Sequence, residues 1–228
     1  MIKAIFIIGK PGGGKSIMVW YLAGLLEADG YHVAFSSDRI GLEEGTLKDV
    51  AKAKAGKDGV KVGKHSKLIA DGPPGHRKVH VLDGKILNAV HNDMVKKAAL
   101  SRERKTVILG EYAIGPDIKF GSKKEPLLQS THHLVGFMKK HKAVQSIFVL
   151  DIEASLAQRE YRQSSRPDSM AEETFRAYFP DGGEMSKKDA KQLRGNYYRF
   201  INRDDDHDGY YSEARYMYET YIQPKLQK

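Results

Sequence analysis

Apolar residues come in short blocks along this chain, and the blocks differ in kind. Residues 2–8 (IKAIFII) are a continuous, β-branched run ending in glycine, the pattern of a strand buried on both faces of a parallel sheet. Residues 15–29 instead place Ile17, Met18, Tyr21, Leu22, Leu25 and Leu26 at helical spacing, and Gly30 ends the helix. Further strands are predicted over 31–36, 106–110 (TVILG), 146–150 (SIFVL) and 198–202 (YRFIN). Helical patterns lie over 84–100, 125–142, 153–163, 171–178, 186–196 and 211–223. Strands alternating with helices predict an α/β domain with a parallel sheet and right-handed crossovers.

Residues 40–76 break that rhythm. They are rich in Gly and Lys, run into DGPPGHRK at 71–78, and predict one short helix near 46–55 followed by loop. A strand is expected over 77–82 (RKVHVL). So long an irregular stretch inside a compact domain is usually functional or mobile.

Composition narrows the class. A chain of 228 residues with 40% hydrophobic content makes one sizeable domain. No run approaches the ~18 apolar residues of a membrane-spanning helix. The apolar N-terminus leads straight into a glycine loop, so it reads as a strand rather than a signal segment, and the cytoplasm is the default location. With no cysteine, disulfides, thiolate metal sites and cysteine nucleophiles are excluded. The net charge of +9 suits anionic partners, and equally a lysine-rich solubilising surface. Lysine clusters at 48–67, 119–124 and 187–191 do not alternate with aromatics as a base-stacking surface would, so nucleic acid is not indicated.

The strongest chemical signal is GKPGGGKS, Gly9 to Ser16, which fits G-x-x-x-x-G-K-[ST] between a predicted strand and a predicted helix. Glycines here let successive N–H groups turn inward around phosphate oxygens, and the helix N-terminus adds partial positive charge. Gly9, Pro11, Gly12, Gly13, Gly14, Lys15, Ser16 and Ile17 are the expected nucleotide-binding residues. Lys15 is expected to reach the β and γ phosphates from a solvated cleft, and Ser16 to ligate Mg²⁺. ATP is expected over GTP, since no N-K-x-D string is present.

The stretch from Phe148 reads FVLDIEASLAQREYRQSSRPDSMAEETFRAYF. Arg159 and Arg162 lie three apart, on one helix face. Arg166 and Asp168 follow, then Glu172-Glu173-Thr174 and Arg176. Phosphoryl transfer needs positioning and neutralised charge, which arginines on a closing segment supply while excluding water. Arg159, Arg162 and Arg166 are therefore catalytic candidates; paired with Glu160, Glu172 or Asp168 they would instead be solvated surface residues.

These residues, with the G-x-P-G-x-G-K form of the phosphate loop, resemble the short-lid, adenylate-kinase-like group of nucleoside monophosphate kinases. The resemblance covers the first 38 residues and about 146–178. It implies a single domain with a three-layer α/β/α P-loop fold and a parallel five-stranded core in the order 2-3-1-4-5. It also implies an acceptor-binding insert near 39–104 and a lid near 155–185. Two departures stand out. The second aspartate of R-x-D-D is Ser169, and the loop after the third strand, GEYAIGPD, lacks the family's phosphate-gripping arginine.

Ligands of a doubly wound sheet bind beyond the C-terminal ends of its strands. Asp38, Glu111 and Asp151 follow predicted strands, and Asp83 follows the strand of the insert. Asp38 and Glu111 are expected to face the acceptor, with Arg39, Arg77 and His76 as possible phosphate contacts. Asp38 serves either as a base toward a hydroxyl or as a helix N-cap. Glu111 serves either there or toward the waters of Mg²⁺. SSDRIG and ILGEYAIG also resemble, over a shorter stretch, polynucleotide and zeta-toxin-type kinases. His132-His133 and the DDDHDG run from Asp204 read as surface and as an acidic turn; counted from Asp204, position twelve of a calcium loop would be Arg215, not glutamate. The expected function is transfer of the γ-phosphoryl of ATP to a small acceptor, best guess a nucleotide or nucleoside. The alternatives are phosphorylation of a polynucleotide-type hydroxyl, and a P-loop ATPase or nucleotide-switched nucleic-acid binder.

Overall fold

A computed structural model describes residues 2–37, 61–63, 66–69, 78–81, 105–113, 117–120, 123–126, 144–166, 172–179, 190–191, 193, 195–203 and 207–227. Its centre is a parallel sheet of five strands: β1 (Ile2–Gly9), β2 (His32–Ser37), β6 (Thr106–Ala113), β9 (Val144–Glu153) and β10 (Tyr197–Ile201). They stand in the order β2-β6-β1-β9-β10, and every neighbouring pair is parallel. Counting only these five, the order is 2-3-1-4-5, as the resemblance implied. With flanking helices and a glycine loop leaving the central strand, this is an α/β P-loop NTPase fold.

β1 is apolar from Ala4 to Ile8 because it is covered on both faces. Alternate side chains leave a strand on opposite sides. Ile5 and Ile7 join α1 (Lys15–Ala28) through Met18, Leu22 and Leu26. Ala4, Phe6 and Ile8 join Ile108, Tyr112, Val149 and Leu193 on the other face. Phe6 and Tyr112 meet with ring centroids 5.6 Å apart. Gly110 makes the room for them: a Cβ there would lie 2.6 Å from each ring.

The C-terminal helix closes the first face. It starts at His207, earlier than the expected 211: His207, Asp208 and Gly209 join its first turn, where the Asp208 carboxylate suits the positive end of the helix dipole. α4 (His207–Met217) passes through a π turn over Tyr218–Ile222 into α5 (Gln223–Gln227). The widened turn lies just before Pro224, where a regular helix would need an N–H that proline lacks.

The insert departs from expectation. Residues 61–63 and 66–69 are strands β3 and β4 (Lys61–Gly63, Ser66–Ile69) rather than loop, and β5 (Lys78–Val81) falls within the expected 77–82. The three pair antiparallel in the order β3-β4-β5. Ladder hydrogen bonds satisfy the backbone here whatever the lysine content. β7 (Asp117–Phe120) and β8 (Lys123–Pro126) form a second antiparallel pair. A helix starting at 125 is thereby corrected: Pro126 disfavours helical backbone at Glu125. The helices expected over 46–55 and 84–100, and the rest of 125–142, lie outside the described residues. Of the helix expected over 186–196, residues 190–191 are helical, and the chain then turns through Gly195 at φ +79°.

Candidate active site

The phosphate loop leaves the C-terminal end of β1 and enters α1. Gly9 is the last residue of β1. Gly14 is the N-cap of α1 at φ +96°, a conformation glycine adopts without strain, and no side chain caps the helix. Its first-turn N–H groups thus have no side-chain cap, as an anion site requires. Gly12, at φ +79°, lets the next helix approach: a Cβ would lie 2.8 Å from the Arg159 carbonyl oxygen. Gly13 N–H donates to the Lys10 carbonyl at 3.1 Å, which closes the turn. Pro11 is half-buried and Ile17 is exposed on the first turn of α1.

Lys15 departs from expectation in its surroundings. It is only 7% exposed rather than standing in a solvated cleft. Its Nζ donates to the Lys10 carbonyl at 3.0 Å. A buried ammonium needs such an acceptor, and the loop's own backbone provides it.

Ser16 Oγ donates to Glu111 Oε1 at 2.8 Å. The two are 95 positions apart in the chain. Glu111 lies within β6, in register with Ile7 of β1 and Ser37 of β2, so it is not beyond a strand end as expected: the ladder with β2 ends at Glu111, but the ladder with β1 carries β6 on to Ala113. Asp151 likewise lies inside β9: it is the last residue paired with β1, and pairing with β10 continues past it to Glu153. It is buried and accepts from the Tyr197 hydroxyl at 2.8 Å.

The arginines of the expected lid part company. α2 (Leu156–Ser164) begins in a capping box: Ser155 Oγ accepts from Gln158 N–H, and Gln158 Oε1 accepts from Ser155 N–H. From this helix Arg162 Nη1 donates to the Gly12 carbonyl at 2.8 Å. Burial lowers its pKa, against the effect of nearby Tyr210. Arg159 is 1% exposed and turns inward. It donates to the Ala154 and Phe179 carbonyls, at 3.2 and 2.8 Å, and its guanidinium carbon lies 5.8 Å from the Phe175 ring centroid. It thus ties α3 (Glu172–Tyr178) to the start of α2. Arg176 pairs at the surface with Glu160 and Glu172, each at 2.5 Å. Arg166 is exposed at the end of α2. Asp38, Arg39, His76, Arg77, Asp83, His132, His133, Asp168 and Asp204 to Asp206 lie outside the described residues.

The structure adds a residue that the strand pattern left unassigned. Asn202 follows β10 and is 4% exposed. Its Nδ2 donates to the Gly13 carbonyl at 2.9 Å. The available signal was a polar residue closing a predicted strand of a parallel sheet, where ligand sites lie.

No protein-family model matches the chain, and no curated protein matches it. Solved structures with which it shares an outline include a shikimate kinase from Acinetobacter baumannii in complex with shikimate, at TM-score 0.47 and 12% identity, covering 99% of this chain and 96% of that one. A sugar kinase from Janibacter sp. HTCC2649 has TM-score 0.45 and 11% identity, covering 99% and 98%. Kti12 of Chaetomium thermophilum in complex with ADP-AlF3 has TM-score 0.42 and 15% identity, covering 96% and 98%. Likeness this distant decides nothing about the chemistry of this chain; its fold class stands on its own strand order and loop.

Two further features bear on ligands. Ser16 and Glu111 offer adjacent hard oxygen donors, which fits Mg²⁺: that ion takes one or two protein oxygens beside phosphates and keeps several waters. Among the described residues, no group of three or more His, Asp or Glu stands together as a self-contained metal cage. No described helix is long and apolar enough to cross a membrane.

Proposed function

We propose that this chain is an ATP-dependent phosphotransferase, moving the γ-phosphoryl of ATP to a small acceptor, a nucleotide or nucleoside by preference. The supporting observation is the convergence at one loop of Lys15, the Ser16–Glu111 pair and Arg162. Lys15 exchanges the Lys10 carbonyl for the β and γ phosphate oxygens. Arg162 is near enough to the loop to turn toward the transferring group, where neutralised charge lowers the barrier. Mg²⁺, held through Ser16 and Glu111, would supply further neutralisation. The bond from γ-phosphorus to its bridging oxygen breaks, the acceptor oxygen bonds to phosphorus, and ADP leaves. Arg159 serves as a brace for the lid helices, and Arg166 stands at their exposed end.

The test is an acceptor screen read out by mass. ATP consumption is slow alone and rises with the right acceptor, which gains one phosphoryl mass. Stimulation of plain hydrolysis by DNA or RNA, with no phosphorylated small product, would instead make the chain a P-loop ATPase.

A hydroxyl acceptor is the second reading. GEYAIGPD carries Glu111 and no arginine, and a carboxylate repels an incoming phosphate dianion. A hydroxyl meets no such repulsion and needs a base, for which Asp38 is the candidate. Asp38→Asn then lowers kcat by roughly 10²–10⁴ with acceptor KM little changed. An unchanged kcat removes Asp38 from the catalytic set and favours a monophosphate acceptor held by Arg39 and Arg77.

A further inference from the structure

We infer that Asn202 is a positioning residue for nucleotide binding: its side-chain amide sets the Gly13–Gly14 peptide plane, and so aims the Gly14 N–H at phosphate. This rests on the reading of Gly9–Ser16 as a nucleotide site.

Gly12, Gly13 and Gly14 are consecutive, and glycine loses more conformational freedom than any other residue when its backbone is fixed. A loop so composed aims its N–H groups only if something outside it holds the peptide planes. Two side chains from distant segments do this. Arg162 takes the Gly12 carbonyl at 2.8 Å, and Asn202 takes the Gly13 carbonyl at 2.9 Å. Among the described residues no peptide is cis. In a trans peptide the C=O and the following N–H point in opposite directions. With the Gly13 oxygen drawn to Asn202, the Gly14 N–H is therefore directed away from Asn202.

Asn202 is itself held. Its backbone N–H donates to the Glu153 carbonyl at 2.7 Å, which extends the β9–β10 ladder by one residue. Its packing against the loop is close: a Cβ on Gly14 would lie 2.3 Å from Asn202 Nδ2. The chemistry is also specific. The Gly13 oxygen only accepts, so a donor must face it. An amide supplies one, whereas an ionised carboxylate of the same shape offers only acceptors.

The experiment measures binding of inorganic tripolyphosphate and of adenosine to the full chain with Mg²⁺, by competition against a fluorescent ATP analogue, together with thermal unfolding without ligand. Asn202→Ala should weaken tripolyphosphate binding about 10-fold, and Asn202→Asp about 100-fold, with adenosine affinity unchanged in both. Asn202→Ser, which keeps a shorter donor, should fall between wild type and Asn202→Ala. A residue that merely packs would lower the melting temperature and leave the ratio of tripolyphosphate to adenosine affinity as in wild type; that result overturns the inference. If Asn202→Asp does not fold, Asn202→Ala and Asn202→Ser decide on the same ratio. Lys15→Ala separates the two levels. If it binds tripolyphosphate as wild type does, the nucleotide reading of the loop fails. If it loses binding while both Asn202→Ala and Asn202→Ser bind normally, only the role of Asn202 fails.

Discussion

The two ends of α1 are built on opposite plans. At the N-terminus, Gly14 caps without a side chain and the backbone around it has positive φ. At the C-terminus, Asp29 caps the helix and takes two side chains from the C-terminal helix. The Tyr218 hydroxyl donates to Asp29 Oδ2 at 2.6 Å, and Gln223 Nε2 donates to the same oxygen at 2.7 Å. The buried residues Tyr31, Tyr218 and Ile222 share a core with α1 around it. One end has its polar groups answered by the protein and contributes stability. At the other no side chain caps the helix, and there Arg162 and Asn202 hold the loop's carbonyls. With the function proposed for the loop, binding and folding are separable along one helix.

Four changes sharpen that contrast. Lys15→Ala has the largest expected effect, about 10²–10³ in phosphoryl-transfer rate, the usual cost of one lost catalytic electrostatic contact. Stability should change little, by no more than about 1 kcal/mol, because the Lys10 carbonyl keeps its Gly13 N–H donor when Lys15 is lost. Single-turnover kinetics and urea unfolding report the two separately, and near-normal turnover would remove the loop from the chemistry. Glu111→Gln keeps shape but loses charge. It should weaken Mg²⁺-dependent ATP turnover roughly 10–100-fold, the scale of removing a group that orients metal ligands. Titrating activity against Mg²⁺ should show the loss as a raised Mg²⁺ requirement, and an unaltered curve would detach Glu111 from the metal.

At the far end the readouts invert. Asp29→Ala strands the Tyr218 hydroxyl and the Gln223 amide and should cost about 1–3 kcal/mol of unfolding free energy. ATP affinity should stay at the wild-type value; a matching fall in affinity would mean that the two ends are coupled. The smallest effect is one of pH. Burial, and then the hydrogen bond to Asp29, raise the Tyr218 pKa above its ordinary value. The folded state therefore holds that proton more tightly than the unfolded chain. The stability this contributes is complete below about pH 10 and is lost as pH rises toward the raised folded value. Between about pH 9 and about pH 11, wild type should lose about 1 kcal/mol more than Tyr218→Phe does. Equal losses would show that Tyr218 keeps its ordinary pKa.

What the letters alone determined is the part built from local rules. β1 is readable because a strand covered on both faces needs an unbroken apolar run, here Ala4 to Ile8, and α1 because helical spacing puts Met18, Leu22 and Leu26 on one stripe. The phosphate loop is readable because its glycines, lysine and serine act within eight consecutive residues. Glu111 and Arg162 were legible as candidates, from their charge and their place after predicted strands, but not as neighbours of the loop. Only the tertiary structure separates Arg162, turned to Gly12, from Arg159, turned to Phe179, since both share a helix face and differ in what packs beside them. The antiparallel strands of the insert were hidden because ladder pairing satisfies backbone groups irrespective of side-chain pattern. Asn202 was hidden for the same kind of reason: its bond to Gly13 spans 189 positions. A hydrogen bond of that separation exists only once the parallel sheet has brought the ends of β1 and β10 to the same edge.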